Sequence, residues 1–337
     1  MSETKAKAIV LVSGGLDSSI ALIMMLNMGI RVECVFFSMP FCHATASLGG
    51  VSYLEALTKK LNVKLHIIDN EETLIEIIKA PRYGFGSNMN PCIDCRIGYF
   101  KKAKALMAET GASFLVTGEV LGQRPMSQRL EAMRVIETEA GLAGLVLRPL
   151  SAKNLELTIP EKEGWVDREK LYGISGRSRR EQMDIAASIG INDYPSPAGG
   201  CLLTDPGYSK RLKDLLKHNK DFTSRDAALL KTGRHFRLSE KVKLIVGRNE
   251  AENSMLEMLQ KEKEILISIK DIPGPNSLLS GEFTAADIKF GASLTARFSD
   301  ITDRNKKVKT WYKDENEIEQ IVEVVPAKEE EYDKLRV

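Results

Sequence analysis

Several features common in chains of 337 residues are scarce or missing here. There are only five cysteines, Cys34, Cys42, Cys92, Cys95 and Cys201. An odd and sparse set argues against a disulfide framework and for a reducing, cytoplasmic setting. No apolar run approaches the roughly 20 residues of a membrane span, so no membrane partner is expected. The opening MSETKAKAIVLV passes almost at once into a strand-like run, so no secretory signal is expected either. The formal net charge is only +2, so any nucleic-acid surface has to be local. Two common phosphate-binding signatures, G-x-x-x-x-G-K-[ST] and G-x-G-x-x-G, are absent, and no internal repeat is present.

What is there is enough apolar residue, 43%, for real cores, over a length that suggests two or three domains. From Ala6 to about Leu150, short apolar runs at 8–12, 32–37, 64–69 and 114–118 alternate with amphipathic stretches. The runs read as buried parallel strands and the stretches as helices, over Ser18–Met28, Val51–Leu61, Thr73–Ile78 and Ile97–Thr110. Residues 142–151 suggest a fifth strand. The rhythm is that of an α/β, doubly wound, mostly parallel sheet. A polar segment follows, then a helix at Gln182–Ile189 and a Pro/Gly-rich loop, YPSPAGGCLLTDP. From about Tyr208 the runs VKLIVG, EILISI, SLTARF and VKTWY predict a second, smaller α+β domain. The expected boundaries are 1–205, 209–326, and a solvated charged tail at 327–337.

The first strand runs into Ser13-Gly14-Gly15-Leu16-Asp17-Ser18-Ser19 and then into a helix. Glycines let backbone approach a phosphate, and a helix N-terminus adds free N–H groups and a positive dipole end. Asp17 would repel phosphate unless a cation bridges them, so it is assigned to Mg2+. Here the chain resembles the PP-loop ATP pyrophosphatase superfamily, whose signature is SGGxDS, over about its first 205 residues. The resemblance implies an adenine nucleotide alpha-hydrolase-like fold, ATP binding at Ser13, Gly14, Gly15, Asp17 and Ser18, transfer of AMP to a substrate oxygen, and release of pyrophosphate. It also implies adenine contacts at Ser38 and Met39 and a cleft lined by Thr117, Gly118 and Glu119.

The segment FLVTGEVLGQ, with LRPL at 147–150, is more selective. It resembles the catalytic domain of tRNA 4-thiouridine synthetases, through Thr117, Gly118, Glu119, Gln123 and Arg148 among others. Arg96 falls where that family carries a phosphate-binding lysine. The implied enzyme is an ATP-dependent tRNA sulfurtransferase that adenylates a pyrimidine carbonyl and replaces its oxygen with sulfur. A small-molecule sulfurtransferase or amidating enzyme of the same adenylating type is the alternative. No N-terminal RNA-binding extension and no rhodanese-like domain is evident. The sulfur donor, whether free sulfide, a cysteine desulfurase or a sulfur carrier protein, is therefore expected to be separate. A homodimer is a further option.

Cys92 and Cys95 form a C-x-x-C pair in NMNPCIDCR, read as a loop ahead of a helix, and Cys201 lies in AGGCLLT. Three cysteines are one short of a four-cysteine site. The set resembles cluster-dependent tRNA thiolation enzymes, which implies that Cys92, Cys95 and Cys201 hold a [4Fe–4S] cluster with one open iron. The other readings are structural zinc with Cys42 or His43 as fourth ligand, a persulfide relay, and a redox disulfide that leaves Cys201 idle. Cys34 is read as a small buried hydrophobe and His66 as a packed strand residue.

Basic residues suggest the RNA contacts. Arg124 and Arg129 flank a proline near the cleft motif, and Arg177, Arg179 and Arg180 crowd the loop GRSRRE. Residues 207–250 hold 12 Lys and Arg against 5 Asp and Glu. GRHFRLSEKVKLIVGRNEAEN resembles the RNA-binding domain of the NFACT family, which implies RNA contacts at Arg234, Arg237 and Arg248. His235 and Phe236 stand among them as candidate stacking residues.

Overall fold

The computed structural model describes residues 6–39, 41, 48–191, 194, 201–313 and 318–337. Cys42 and His43, and residues 195–200 of the Pro/Gly-rich loop, lie outside the described residues. The chain divides into two compact units, Met1–Thr204 and Asp205–Val337.

In the first unit, β1 (Lys7–Leu11), β2 (Arg31–Ser38), β3 (Lys64–Asp69), β4 (Phe114–Thr117) and β5 (Val146–Leu147) form one parallel sheet in the order β3-β2-β1-β4-β5. The order follows from strand chemistry: AIVL and FLV are apolar on both faces, which suits central parallel strands covered by helices on each side. Ala8, Val10 and Val12 face one layer with Leu16, Ile20 and Leu54 from two helices. Ile9 and Leu11 face the other, with Phe100 and Ile136 from the helices Cys92–Thr110 and Leu130–Ala140. Cys34 is buried in the first layer, and the expected small-hydrophobe role holds. His66 packs on the sheet with Nε2 2.6 Å from Glu33, as a strand residue should. The doubly wound sheet expected from the sequence is present. Its strand order reverses between β1 and β4, and crevices at such switch points are where open α/β sheets bind ligands.

In the second unit, β6 (Arg234–Arg237), β7 (Val242–Val246), β8 (Ile265–Ile269), β9 (Ser277–Gly281), β10 (Val308–Lys313) and β11 (Glu319–Val324) form an antiparallel sheet, ordered β11-β10-β8-β9-β7-β6. SLTARF is not a strand; it ends the helix Ala285–Arg297. Thr284 and Asp287 form a capping box upstream, which fixes the helical phase, and Gly291, Ala292, Leu294 and Thr295 then turn onto the sheet. A strand-like hexapeptide yields to that longer-range periodicity. The C-terminal residues also differ from the solvated tail expected. Glu329–Tyr332 is a helical turn whose Tyr332 is buried edge-on against Phe236, and Arg336 bridges back to Phe236. The single aromatic among the acidic residues of this segment supplies the apolar anchor.

Asp214, on the helix Pro206–His218, knits that helix to the sheet. Arg237 Nε and Nη2 donate to its two oxygens at 3.0 and 2.7 Å, and Lys243 Nζ donates at 3.0 Å. Burial opposes the carboxylate, but the Arg237 and Lys243 bonds and charges outweigh it and hold its pKa at about 2. A carboxyl depressed in this way stabilises the fold above its unfolded pKa near 3.9 and ceases to do so as pH falls to about 2. Asp214→Asn is expected to cost about 1–2 kcal/mol at neutral pH, solvent screening included. The gap to wild type should close as pH falls from about 4 through 2. Urea denaturation followed by Trp311 fluorescence in a Trp165→Phe background measures it.

Candidate nucleotide and thiol site

The loop after β1 is shaped by short-range bonds among its own hydroxyls. Ser13 N–H donates to Ser18 Oγ at 3.2 Å, and Ser18 Oγ and Ser19 Oγ donate to Gly15 O at 2.9 and 3.2 Å. Gly14 has φ of 75°, a left-handed turn that glycine accommodates without strain. Gly15 caps the first helix, Leu16–Asn27, with no side-chain hydrogen bond. First-turn amides left without a capping side chain are the donors an anion takes up.

The end of β4 closes on this loop. A Cβ on Gly118 would lie 2.5 Å from both Asp17 C and Ser18 N, so only glycine fits there. Gln123 Nε2 donates to Asp17 Oδ2 at 3.2 Å, while Asp17 Oδ1 is buried without a partner. Burial raises the Asp17 pKa despite opposing contributions from Gln123, Arg179 and Arg124. An orphaned, desolvated carboxylate oxygen beside a phosphate-type loop fits a divalent cation.

Glu119 is buried, 3% exposed, between two guanidiniums: Arg148 Nε donates at 3.0 Å and Arg96 Nε lies at 3.5 Å. Arg148 also bonds Glu137. Burial alone would raise the Glu119 carboxyl; Arg96 and Arg148 outweigh it and leave the group below the usual carboxylate range. For Arg96, burial opposes the charge, and Glu119 together with the neighbouring thiols overcomes it.

Cys92 and Cys95 are not in a loop: they occupy the first turn of the helix Cys92–Thr110, with Pro91 as its cap. Pro91 O accepts from Cys95 N–H at 2.9 Å, so the proline starts the helix one turn earlier than its apolar pattern suggests. Cys201 is brought to them by its flanks. Leu202 N–H donates to Phe41 O at 3.0 Å, Met89 N–H to Leu203 O at 3.0 Å, and Asn88 Nδ2 to Thr204 O at 2.7 Å. Cys95 interacts electrostatically with both Cys92 and Cys201, so the three thiols share one locale. Its Sγ donates to Tyr99 Oη at 3.0 Å, and Tyr99 in turn bonds Met39 and stacks on Phe37 at 4.9 Å. Burial pushes the Cys95 thiol up to about 12, against any lowering by the helix N-terminus and Arg96. Soft thiol donors suit iron–sulfur or zinc chemistry. Yet among the described residues no group of three His, Cys, Asp or Glu side chains stands in metal-holding geometry. Cys34, Cys92, Cys95 and Cys201 are not joined in disulfides.

The predicted residues therefore fall into two sets. Ser13, Gly14, Gly15, Asp17, Ser18, Gly118 and Gln123 converge on the switch point, and Ser38 ends β2 beside it in the sheet, with Met39 next in the chain. Arg124 and Arg179, read as RNA contacts, both act electrostatically on Asp17, and Arg179 Nη1 is buried without a partner. Gly176 N–H donates to Leu121 O at 2.7 Å, which ties the arginine loop to the Gln123 segment. Arg129, Arg177 and Arg180 are exposed. In the second unit, Arg237 is spent on Asp214 and Arg248 on Glu252 through Nε at 2.9 Å. Arg234 lies 4.6 Å over the Phe298 ring. His235 and Phe236 are buried, 1% and 0% exposed, so neither is a stacking platform. Burial on the two faces of an edge strand is what period-two alternation gives in RHFR, with its apolar residues turned to opposite helix layers. Tyr99 and Glu137 escaped sequence reading. Tyr99 was findable as the residue one helical turn beyond Cys95; Glu137 carries no local signal.

Residues 3–159 match the family described as thiamine biosynthesis protein (ThiI), and residues 233–336 match the NFACT protein RNA binding domain. A probable tRNA sulfurtransferase of Thermoanaerobacter sp. (strain X514) is 34% identical over 149 residues, 44% of this chain and 37% of that protein. Another, of Lysinibacillus sphaericus (strain C3-41), is 35% identical over 158 residues, 46% of this chain and 37% of that protein. The chain thus spans little more than a third of the length of these relatives. A crystal structure of a 4-thiouridine synthetase–RNA complex with bound ATP is 26% identical, covering 55% of this chain and 52% of that one, at a TM-score of 0.37.

Gly118→Ala is expected to push the Thr117–Glu119 segment off the loop and lower stability by about 1–3 kcal/mol, the usual cost of overpacking. Urea denaturation checks it, with Gly98→Ala, whose added Cβ would meet only ordinary contacts at 3.5 Å and beyond, as the control for glycine replacement.

Proposed function

We propose, from a chain whose residues 3–159 match the ThiI family and whose residues 233–336 match the NFACT RNA-binding domain, that this protein is an ATP-dependent tRNA sulfurtransferase. The observation that carries the reading is a shared charged partner: Arg124 acts electrostatically on Asp17 and also on Cys92 and Cys201. A phosphate-type loop with an orphaned Asp17 oxygen lies on one side. On the other lie three gathered thiols, joined to the loop through Arg96, Glu119 and Arg124.

The chemistry needs both halves. A pyrimidine carbonyl oxygen attacks the α-phosphorus of ATP and pyrophosphate leaves. A sulfide-level nucleophile then adds at the activated carbon, and AMP departs with the original oxygen. The sum is oxygen for sulfur with no net redox change. The amides capping the first helix and the Ser13–Ser19 hydroxyls would hold pyrophosphate oxygens as charge grows on them. Arg124 and Arg179 supply cationic charge beside Asp17. Asp17 is the residue that would hold Mg2+, which when bound neutralises charge on the leaving pyrophosphate. Cys92, Cys95 and Cys201 would hold a [4Fe–4S] cluster, whose chemistry when bound is sulfide delivery. Among the described residues their sulfurs do not stand in metal-holding geometry in this structure.

Asp17→Asn should lower tRNA-dependent pyrophosphate release by about 100-fold or more. Serine at Cys92, Cys95 or Cys201 should abolish the thionucleoside yet leave pyrophosphate release largely intact, read by nucleoside mass spectrometry. Anaerobically purified protein should contain iron and acid-labile sulfide that each serine variant loses. Stoichiometric zinc instead would replace the cluster reading; thiolation indifferent to all three serines would overturn the site.

A further inference from the structure

One end of the second unit gathers arginines around a small aromatic core. Phe236, Phe298 and Tyr332 form a three-ring cluster with centroids 5.8–6.1 Å apart. The Arg234 guanidinium lies 4.6 Å from the Phe298 ring centre, and that of Arg336 lies 6.0 Å from Phe236 and 5.9 Å from Tyr332. Arg297 Nε donates to Tyr332 Oη at 3.4 Å, and Arg304 Nη1 donates to Arg297 O at 2.6 Å. Arg304 and Arg336 are exposed; Arg234 and Arg297 are half-buried. The four come from β6, the end of the helix Ala285–Arg297, the turn beyond it and the C-terminal segment, so most lie outside the basic stretch at 207–250.

What holds the four leaves their charges uncancelled. Among the described residues their guanidiniums meet rings, a phenol oxygen and backbone carbonyls, and none stands in an ion pair. An aromatic face holds a guanidinium in place without neutralising it. Arg225 and Arg237 differ, since each is held by a carboxylate, Glu264 and Asp214. Burial lowers the Arg234 pKa, and the Arg248 and Arg336 charges add to that effect against Glu252, which is itself bonded to Arg248. Lys210 Nζ donates to Arg336 O at 3.0 Å and brings a further cation to the same end. Like charges held this close oppose one another until an anion bridges them.

We propose that Arg234, Arg297, Arg304 and Arg336 form a face that grips the phosphate backbone of RNA, presented to it from the ring cluster. The choice of RNA as the polyanion rests on the tRNA reading proposed above; the choice of surface rests on the unpaired guanidiniums, whose planar forks match phosphate oxygens. Of the contacts expected from the sequence, Arg234 belongs to this face, whereas Arg237 and Arg248 are held by Asp214 and Glu252. Arg297, Arg304 and Arg336 are new to it. Backbone contacts carry no sequence information, so the face positions the RNA and leaves its bases to be read elsewhere.

Binding of fluorescein-labelled tRNA to the full chain without ATP, followed by anisotropy over a range of KCl concentrations, tests this. Arg297→Gln, Arg304→Gln and Arg336→Gln should each weaken binding about two- to fivefold. Each should also flatten the slope of log K against log[KCl] by about 0.7–0.9, one phosphate contact's worth. Arg336→Lys keeps the charge but not the planar group, so it should hold the slope and lose part of the affinity. Lys241→Gln, whose charge Glu282 already pairs, should change neither. Arg304 is exposed, so its variant tests the face even where an Arg297 or Arg336 variant does not fold. Unchanged affinity and slope in all three glutamine variants overturns the face and leaves the sulfurtransferase reading standing. Poly-glutamate of equal charge binding more tightly than the tRNA makes the partner an acidic protein and also overturns it. A chain that grips tRNA through these arginines yet makes no thionucleoside upholds the face and sinks the sulfurtransferase reading instead.

Discussion

Glu119 is the buried charge around which the first unit's site is arranged. Removing a carboxylate from water costs several kcal/mol, and a single partner at ordinary distance does not repay it. Here two guanidiniums share the work. Arg148 comes from just beyond β5, and Arg96 from the first turns of the helix that also carries Cys92 and Cys95. The charge requirement therefore fixes the approach of that helix to the end of β4. Gly118, one residue earlier, fixes the approach of β4 to the Asp17–Ser18 backbone by having no side chain at all. Two adjacent residues thus couple the Ser13–Ser19 loop to the thiols, one through charge and one through the absence of bulk.

The second unit follows a different electrostatic logic. The 12 basic residues between 207 and 250 do not become a free cationic face. Asp214 takes two of them and Glu252 a third, because a cation half-buried on a sheet is retained only when paired. Lys217 and Lys241 are paired as well, with Glu240 and Glu282, so the local excess of positive charge is smaller on the surface than in the sequence.

Much of this was legible in the residue string, for physical reasons that differ by case. AIVLV followed by SGGLDSS announces strand, phosphate-type turn and helix because each step is local: β-branched burial, a left-handed glycine, a free N-terminus. Cys92 and Cys95 were legible as a pair, yet their place on a helix was not, since Pro91 moves the start by a turn that apolar periodicity does not report. SLTARF misleads because its six residues alternate like a strand, while Thr284 and Asp287 had already set a helix running. His235 and Phe236 mislead because arginine neighbours suggest exposure; β6 buries one on each face.

The sequence by itself determined which elements form and which chemical groups the chain owns, because propensity, capping and turn chemistry act over a few residues. Only the tertiary structure decided which groups meet. Cys201 joins Cys92 and Cys95 across more than 100 residues through backbone bonds at Phe41 and Met89 and the Asn88 side-chain amide, which leave no mark on local sequence. Arg124 and Arg179 turn toward Asp17, and His235 turns inward with one nitrogen unsatisfied, for the same reason. Partnership between buried charges and polar atoms is set by strand order and helix docking, and these minimise the energy of the whole unit rather than of any segment within it.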